Sequence, residues 1–127
     1  MEELKKHIIA RINDLIQRKR YTRELLDSDF ISFMQSENIE NHYKNIRRIN
    51  FYYKIQKWVE KVENNKCTKE DFIQFLEDKK KHYVFVRLNT RPVNSTYPSF
   101  NLSFQWDFDT YSEFIEYLDK IMSFINN

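Results

Sequence analysis

The chain has 127 residues, of which 41% are apolar and 31% charged, a balance typical of one globular domain with a core of its own. It contains no glycine, which excludes the glycine-rich loops that hold phosphates and the Gly-x-Ser-x-Gly turn of many hydrolases. The net charge is +2 and is unevenly distributed. Residues 1–82 contain 18 Lys and Arg against 14 Asp and Glu, whereas residues 83–127 contain 3 Lys and Arg against 5 Asp and Glu. The sequence therefore allows both a basic and an acidic face.

The N-terminal half is predicted to form three helices. Residues 3–20 place apolar side chains at helical spacing, and the cations Lys19 and Arg20 would lie at the end of this helix, where they suit its dipole. Thr22 is a suitable N-cap for the second helix. The buried side of that helix would hold Leu25, Leu26, Phe30, Phe33 and Met34.

The third helix, over residues 39–63, is the longest and contains neither Pro nor Gly. One apolar face would hold Phe51, Tyr52, Ile55, Trp58, Val59 and Val62. A nearly opposite face would hold Ile46, Ile49 and Tyr53. Because a helix with two apolar faces usually has neighbours on both sides, we expect this helix to be central to the fold. Asn64 and Asn65 would end it in the left-handed conformation that glycine often adopts there.

The fourth helix is predicted to begin at Thr68, because Thr68 and Asp71 have the spacing of a capping box, and to end by residue 82. The apolar pattern then changes to the alternation typical of strands, in residues 83–88 and 100–108. We expect an antiparallel hairpin, with residues 89–99 as its connection. A second capping-box pattern at Thr110 predicts a last helix. Its inner stripe would be Phe114, Leu118, Ile121 and Ile125.

The predicted fold class is therefore α+β and mostly helical, with about four N-terminal helices, an antiparallel β-hairpin and a C-terminal helix. We expect a single domain over residues 1–127, with a helical part at 3–82 and the hairpin plus the last helix at 83–127. A single cysteine, Cys67, excludes an internal disulfide. Basic residues interrupt the first apolar positions, unlike in a signal peptide. No apolar run reaches the length of about 18 residues that a membrane span needs. We expect a cytoplasmic protein without a membrane partner.

Candidates for catalysis or metal binding are few. Three histidines lie far apart and lack the spacing of metal ligands: His7, His42 and His82. Cys67 precedes a predicted helix, where a thiolate is favoured, but no basic partner is indicated. Asp107 and Asp109 flank Phe108, and nothing completes a metal-binding set around them. We expect no catalytic site, no metal and no cofactor.

The interleaving of cations and rings in the third helix indicates nucleic-acid binding, because cations neutralise phosphates and rings stack on bases. The candidate residues are Lys44, Arg47, Arg48, Lys54, Lys57 and Lys61. An opposing interpretation is that the rings occupy core positions and the cations are the solvent edge between two buried faces.

The element order is also that of a winged helix, with residues 68–82 as recognition helix and 87–91 as wing. Glu70 and Asp71 in its first turn would repel phosphates.

A protein partner is the favoured interpretation. Carboxylates in a row at the start of the last helix can imitate phosphates, and the long connection 89–99 carries residue types common at interfaces. The candidate residues are Arg91, Tyr97, Asp107, Asp109, Glu113 and Glu116. The composition, free of Gly and rich in Lys, Asn and aromatic residues, is typical of AT-rich phage or mobile-element genes. We expect a small non-enzymatic inhibitor or regulator of another protein, with a DNA- or RNA-binding regulator as the alternative.

Overall fold

The structure, a computed structural model, describes residues 1–90 and 98–126, and within them the side chains of all residues except Ser36 and residues 98–104. The elements in this part of the chain are α1 (Glu2–Ser28), α2 (Phe30–Phe33), α3 (Ser36–Glu63), α4 (Lys69–Asn89) and α5 (Pro98–Asn126). These residues contain no strand, so the fold is all-α.

The predicted β-hairpin, and with it the α+β class, is wrong. Residues 83–88 continue α4 to its end, and residues 100–108 belong to α5. The sequence has no helix-breaking Gly or Pro between Thr68 and Pro92, so nothing local ends α4 at residue 82. Strand propensity is a weak preference that packing overrides. The wing predicted at residues 87–91 is wrong too, because its first three residues, 87–89, belong to α4. Arg91 lies outside the described residues.

Thr110 is also not the helix start that its spacing to Glu113 predicts. It lies inside α5 and is fully buried. Its hydroxyl donates a hydrogen bond to the Trp106 carbonyl oxygen at 2.7 Å, one turn earlier in the same helix. Threonine satisfies its hydroxyl in this way inside helices, so the capping pattern alone does not distinguish a helix start from a helix interior.

The chain divides into two compact units, Glu2–Lys57 and Trp58–Asn127, so the boundary falls within α3. The first unit contains α1, α2 and most of α3. Its buried apolar side chains come from α1 and α3, namely Leu4, Ile8, Ile12, Leu15, Ile49, Phe51, Tyr52 and Ile55. The single domain expected over residues 1–127 stays a prediction.

The second unit contains the end of α3 together with α4 and α5. Lys80 pairs with Asp119 at 2.6 Å, and the Tyr83 ring lies 5.2 Å from the Phe114 ring. Because positions later in α4 meet positions earlier in α5, the two helices run antiparallel. The inner stripe of α5 is confirmed, since Phe114, Leu118, Ile121 and Ile125 are all buried.

Two predicted signals between α3 and α4 are confirmed. Asn65 adopts a φ of 57°, in the left-handed region, directly after α3 ends. The capping box is complete, because the Asp71 backbone N–H donates to the Thr68 hydroxyl at 3.0 Å and the Thr68 N–H donates to the Asp71 carboxylate at 3.0 Å. These bonds satisfy two helix-start donors that α4 would otherwise leave to water.

Replacing Thr68 with alanine is expected to lower the free energy of unfolding by about 1 kcal/mol, because the Asp71 N–H loses its acceptor. Urea unfolding followed by far-UV circular dichroism measures the loss. Lys69→Ala, at the next position, removes no cap and is the matched control. Equal losses in the two variants would contradict the role of Thr68 as the cap.

Candidate functional site

Of the six predicted protein-binding residues, the structure describes the four carboxylates of α5. Arg91 and Tyr97 lie outside the described residues. Asp109, Glu113 and Glu116 share one face of α5 by their spacing, whereas Asp107 is in register with the buried stripe. Asp109 accepts a hydrogen bond from the Gln105 side chain at 2.8 Å. Glu113 accepts one from the Tyr117 hydroxyl at 3.1 Å, and both carboxylates are half-buried. The acidic face is therefore short and partly engaged within α5.

Three of the six residues predicted to bind nucleic acid interact with other side chains of α3. Lys44 is buried, with its ammonium 3.2 Å from the Glu40 carboxylate. Arg48 donates to the Asn45 amide oxygen at 2.8 Å. The Arg47 guanidinium lies 5.6 Å from the centre of the Tyr43 ring and donates to its hydroxyl at 3.2 Å.

The other three residues predicted to bind nucleic acid are exposed, namely Lys54, Lys57 and Lys61. The Lys61 ammonium lies 4.8 Å from the centre of the Trp58 ring, within the second unit. The second apolar face predicted for α3 is largely uncovered, because Ile46 and Tyr53 are 37% and 42% exposed while only Ile49 is buried. The outer side of α3 in the first unit thus presents cations next to apolar groups.

A basic groove lies between α1 and α3 in the first unit, with a volume of about 380 Å³. We call it the α1–α3 groove, and its lining residues are Ile16, Lys19, Arg20, Arg23, Ile49, Asn50 and Tyr53. The three cations are exposed, whereas Ile49 is buried and Ile16 half-buried. The groove therefore has an apolar floor, cations along α1 and an accessible ring on α3.

Sequence reasoning missed the three cations of this groove. Lys19 and Arg20 were assigned to the end of the first helix and Arg23 to no site, but α1 continues to Ser28 and contains all three in its interior. Lys19 and Arg23 are one helical turn apart and so occupy the same side of α1. The signal available in the sequence was the basic run from Arg18 to Arg23, which carries no acidic residue.

His42 links α3 to α1 beside a positive region. Its Nδ1 lies 2.6 Å from the hydroxyl of buried Thr22, and its ring meets the Phe33 ring edge-on at 5.7 Å. Burial of the ring, followed by the charges of Lys19 and Arg23, lowers the pKa of His42 below its ordinary value. The charged imidazolium is thus disfavoured in the folded protein.

The lowered pKa of His42 predicts a loss of stability in weak acid. As the pH falls, His42 of the unfolded chain takes up a proton at its ordinary pKa of about 6.5, whereas His42 of the folded protein does so only at the lowered pKa. The stability that His42 contributes is therefore fully present above the ordinary pKa and is lost as the pH falls from there through the lowered pKa. Urea unfolding between about pH 7.5 and about pH 5 measures this loss. His42→Asn should flatten the profile, whereas Asn41→Ala, at the exposed neighbouring position of α3, should not. An unchanged profile in His42→Asn would refute the assignment.

The short helix α2 exposes three large apolar side chains. Phe30, Ile31 and Met34 are 58%, 82% and 52% exposed, and we call these three residues the α2 patch. The prediction that Phe30 and Met34 are buried is wrong. Only Phe33, which contacts His42, is turned inward, and it is half-buried.

Polar contacts hold the turn that displays the α2 patch. The Asp29 carboxylate caps α2 by accepting bonds from the Ser32 hydroxyl at 2.6 Å and the Ser32 N–H at 3.2 Å. These bonds lower the pKa of Asp29, so it stays ionised. The Asn38 amide donates to the Ser32 carbonyl oxygen at 2.6 Å. Hydrogen bonds of the Asp29 and Asn38 side chains thus hold this segment, together with the contact between Phe33 and His42.

No cluster suited to metal binding occurs among the described residues, since they contain no group of three or more His, Cys, Asp or Glu close enough to share an ion. Cys67 is half-buried at the turn before α4. Nor does any helix in the described part of the chain have the length and apolar character needed to cross a membrane. Comparisons of the chain with protein-family models, curated proteins and solved structures find no match.

Proposed function

We propose that this is a small non-enzymatic protein that binds another protein and acts as its stoichiometric inhibitor or regulator, using the α2 patch as the contact surface. The observation that carries the proposal is the exposure of three large apolar side chains in the α2 segment, Phe30 and Ile31 within α2 and Met34 at its C-cap. Burying a large apolar side chain contributes about 1.5–3 kcal/mol, so covering this patch would supply substantial binding energy.

The rim of the α2 patch suggests the chemistry of the partner. Asp27, Asp29 and Glu37 lie next to the patch in sequence, and all three are exposed. An apolar cleft bordered by Lys or Arg would match both the apolar centre and the acidic rim, since complementary charges steer association and favour the correct partner. We place this interaction in the cytoplasm, and the composition favours a phage or mobile-element origin.

Ile31→Asp is expected to abolish partner binding and to leave folding unchanged. Because Ile31 is 82% exposed, the free energy of unfolding should change by less than about 0.5 kcal/mol. Affinity capture from host lysate with quantitative mass spectrometry should identify a protein that the wild type retains and Ile31→Asp loses, and calorimetry with the purified partner should show at least a roughly tenfold weaker affinity.

Phe85→Asp is the matched control for this experiment. Phe85 is 65% exposed on α4, in the second unit, so the variant introduces the same charge at another exposed apolar side chain, one that is not part of the α2 patch. Retention of every captured protein by Ile31→Asp would contradict the proposal.

DNA or RNA binding is the second candidate function. It is favoured by the exposed Lys54 and Lys57 on α3 and by the cations of the α1–α3 groove. Residues 2–57 carry 12 Lys and Arg against 8 Asp and Glu, hence a net charge of +4. A surplus of this kind attracts polyanions but does not select among them.

A further inference from the structure

We propose that the α1–α3 groove is a binding site for single-stranded nucleic acid, in which the cations of α1 hold the phosphate backbone and Tyr53 stacks on a base. This inference is independent of the protein-binding proposal and deepens the second candidate, because it names the site and the form of the ligand. The residues that carry it are Lys19, Arg20, Arg23, Asn50 and Tyr53.

The cations are arranged along one wall of the groove. Lys19 and Arg23 lie on the same side of α1, one helical turn apart, and Arg20 lies between them in the sequence. All three side chains are exposed. The Arg23 Nε lies 3.7 Å from the exposed carboxylate of Asp27. An exposed ion pair of this kind is weak in water, so a phosphate can displace the carboxylate.

The other wall supplies groups that suit a base. Tyr53 is 42% exposed, so its ring is accessible for stacking, and the side-chain amide of the neighbouring Asn50 offers both a donor and an acceptor to a base edge. The floor under them is apolar, formed by Ile16 and Ile49. A phosphate-binding wall opposite a stacking wall matches a nucleotide, which carries an anion at one end and a flat ring at the other.

The stacking ring selects a single strand over other polyanions. In a duplex the faces of the bases are covered by their neighbours, so Tyr53 has no base to stack on. An acidic peptide would use the cations and leave the ring without a matching partner. A single strand uses both walls at once, and its bases bind aromatic rings with little dependence on sequence.

The test is fluorescence anisotropy with a labelled oligothymidine of roughly 12 nucleotides at roughly 50 mM salt. Tyr53→Ala should weaken binding roughly 5- to 150-fold, the range found for loss of one stacking ring, and Tyr53→Phe should restore most of it. Arg23→Gln should weaken binding and reduce the slope of log affinity against log salt by about 0.7, the contribution of one phosphate on a single strand.

Arg18→Gln is the matched control for Arg23→Gln. Arg18 is an exposed cation in the same helix with a carboxylate one turn away, as Arg23 has, but it does not line the groove. The salt slope of this control should therefore change by less than that of Arg23→Gln. The thermal midpoint of each variant confirms that it is folded.

Competition distinguishes the possible ligands. Unlabelled oligothymidine should displace the probe, and thymidine monophosphate should do so at higher concentration only, because a strand contacts several cations. A duplex of the same length and polyglutamate should compete weakly. Equal competition by polyglutamate or duplex, or unchanged affinity of Tyr53→Ala, would overturn the single-strand site.

The experiment also distinguishes this inference from the proposals it stands beside. Absence of any binding by the wild type would overturn the site and the nucleic-acid candidate together, and leave the α2 patch unaffected. Binding that is lost in Lys54→Gln but not in Arg23→Gln or Tyr53→Ala would overturn the groove and retain the candidate on α3. Ile31→Asp should bind the oligonucleotide like the wild type.

Discussion

Replacing Phe72 with alanine is expected to lower the free energy of unfolding of the second unit by about 3–5 kcal/mol. Phe72 is fully buried in the second turn of α4, and its ring lies 6.3 Å from the Trp58 ring in a nearly parallel stack. Trp58 also stacks on Phe75 at 4.5 Å. Removing the ring leaves a cavity under Trp58 that this aromatic cluster cannot close without losing its own contacts.

Tryptophan fluorescence is the appropriate measurement, because both tryptophans of the chain, Trp58 and Trp106, belong to the second unit. Phe85→Ala is the control in the same helix. Its side chain is 65% exposed, and alanine has a higher helix propensity, so the change should be within about 0.5 kcal/mol. Comparable losses at both positions would mean that residue 85 is buried, as a strand would allow, and would contradict the extension of α4 through residues 83–88.

Replacing Tyr52 with alanine is expected to lower the free energy of unfolding of the first unit by a similar amount, about 3–5 kcal/mol. Tyr52 is 1% exposed at the centre of this unit. Its ring meets the Phe51 ring at 5.2 Å and the His7 ring at 6.4 Å, both edge-on, and the Arg11 guanidinium lies 5.7 Å from its centre. The substitution removes an aromatic contact between α1 and α3 as well as the buried area.

Tyr53 provides the control for Tyr52, with the same side chain at the next position. It is 42% exposed and lines the α1–α3 groove, so Tyr53→Ala should cost little stability. Far-UV circular dichroism during urea unfolding follows both variants. If Tyr53→Ala proved the more damaging of the two, the phase of α3 would be wrong by one residue, and the proposed stacking residue would be a core residue.

Stability and binding are expected to depend on different residues of this protein. The residues that hold each unit together, such as Phe72 and Tyr52, are buried, whereas those assigned to partners, such as Ile31 and Tyr53, are exposed. A binding defect in the second group without loss of folding would therefore report on the surface alone. The two proposed surfaces use different residues, so each can be removed without the other.

The sequence by itself determined the features that depend on contacts within a few residues. The capping box at Thr68, the left-handed Asn65 and the buried stripe of α5 were all predicted correctly, because side chain–backbone bonds and helical spacing decide them locally. The absence of glycine likewise excluded whole classes of phosphate-binding and hydrolase motifs without any structure.

Only the tertiary structure decided the state of residues 83–88, the exposure of α2 and the side of α3 that is covered. β-Branched and aromatic residues favour strands by less than about 1 kcal/mol each, and packing of α4 against α5 outweighs that preference. Apolar side chains at helical spacing predict a buried face but not whether a neighbour covers it, which is why the exposure of Phe30, Met34 and Tyr53 was not predicted. The α1–α3 groove joins residues about 30 positions apart, and no local pattern encodes such a pairing.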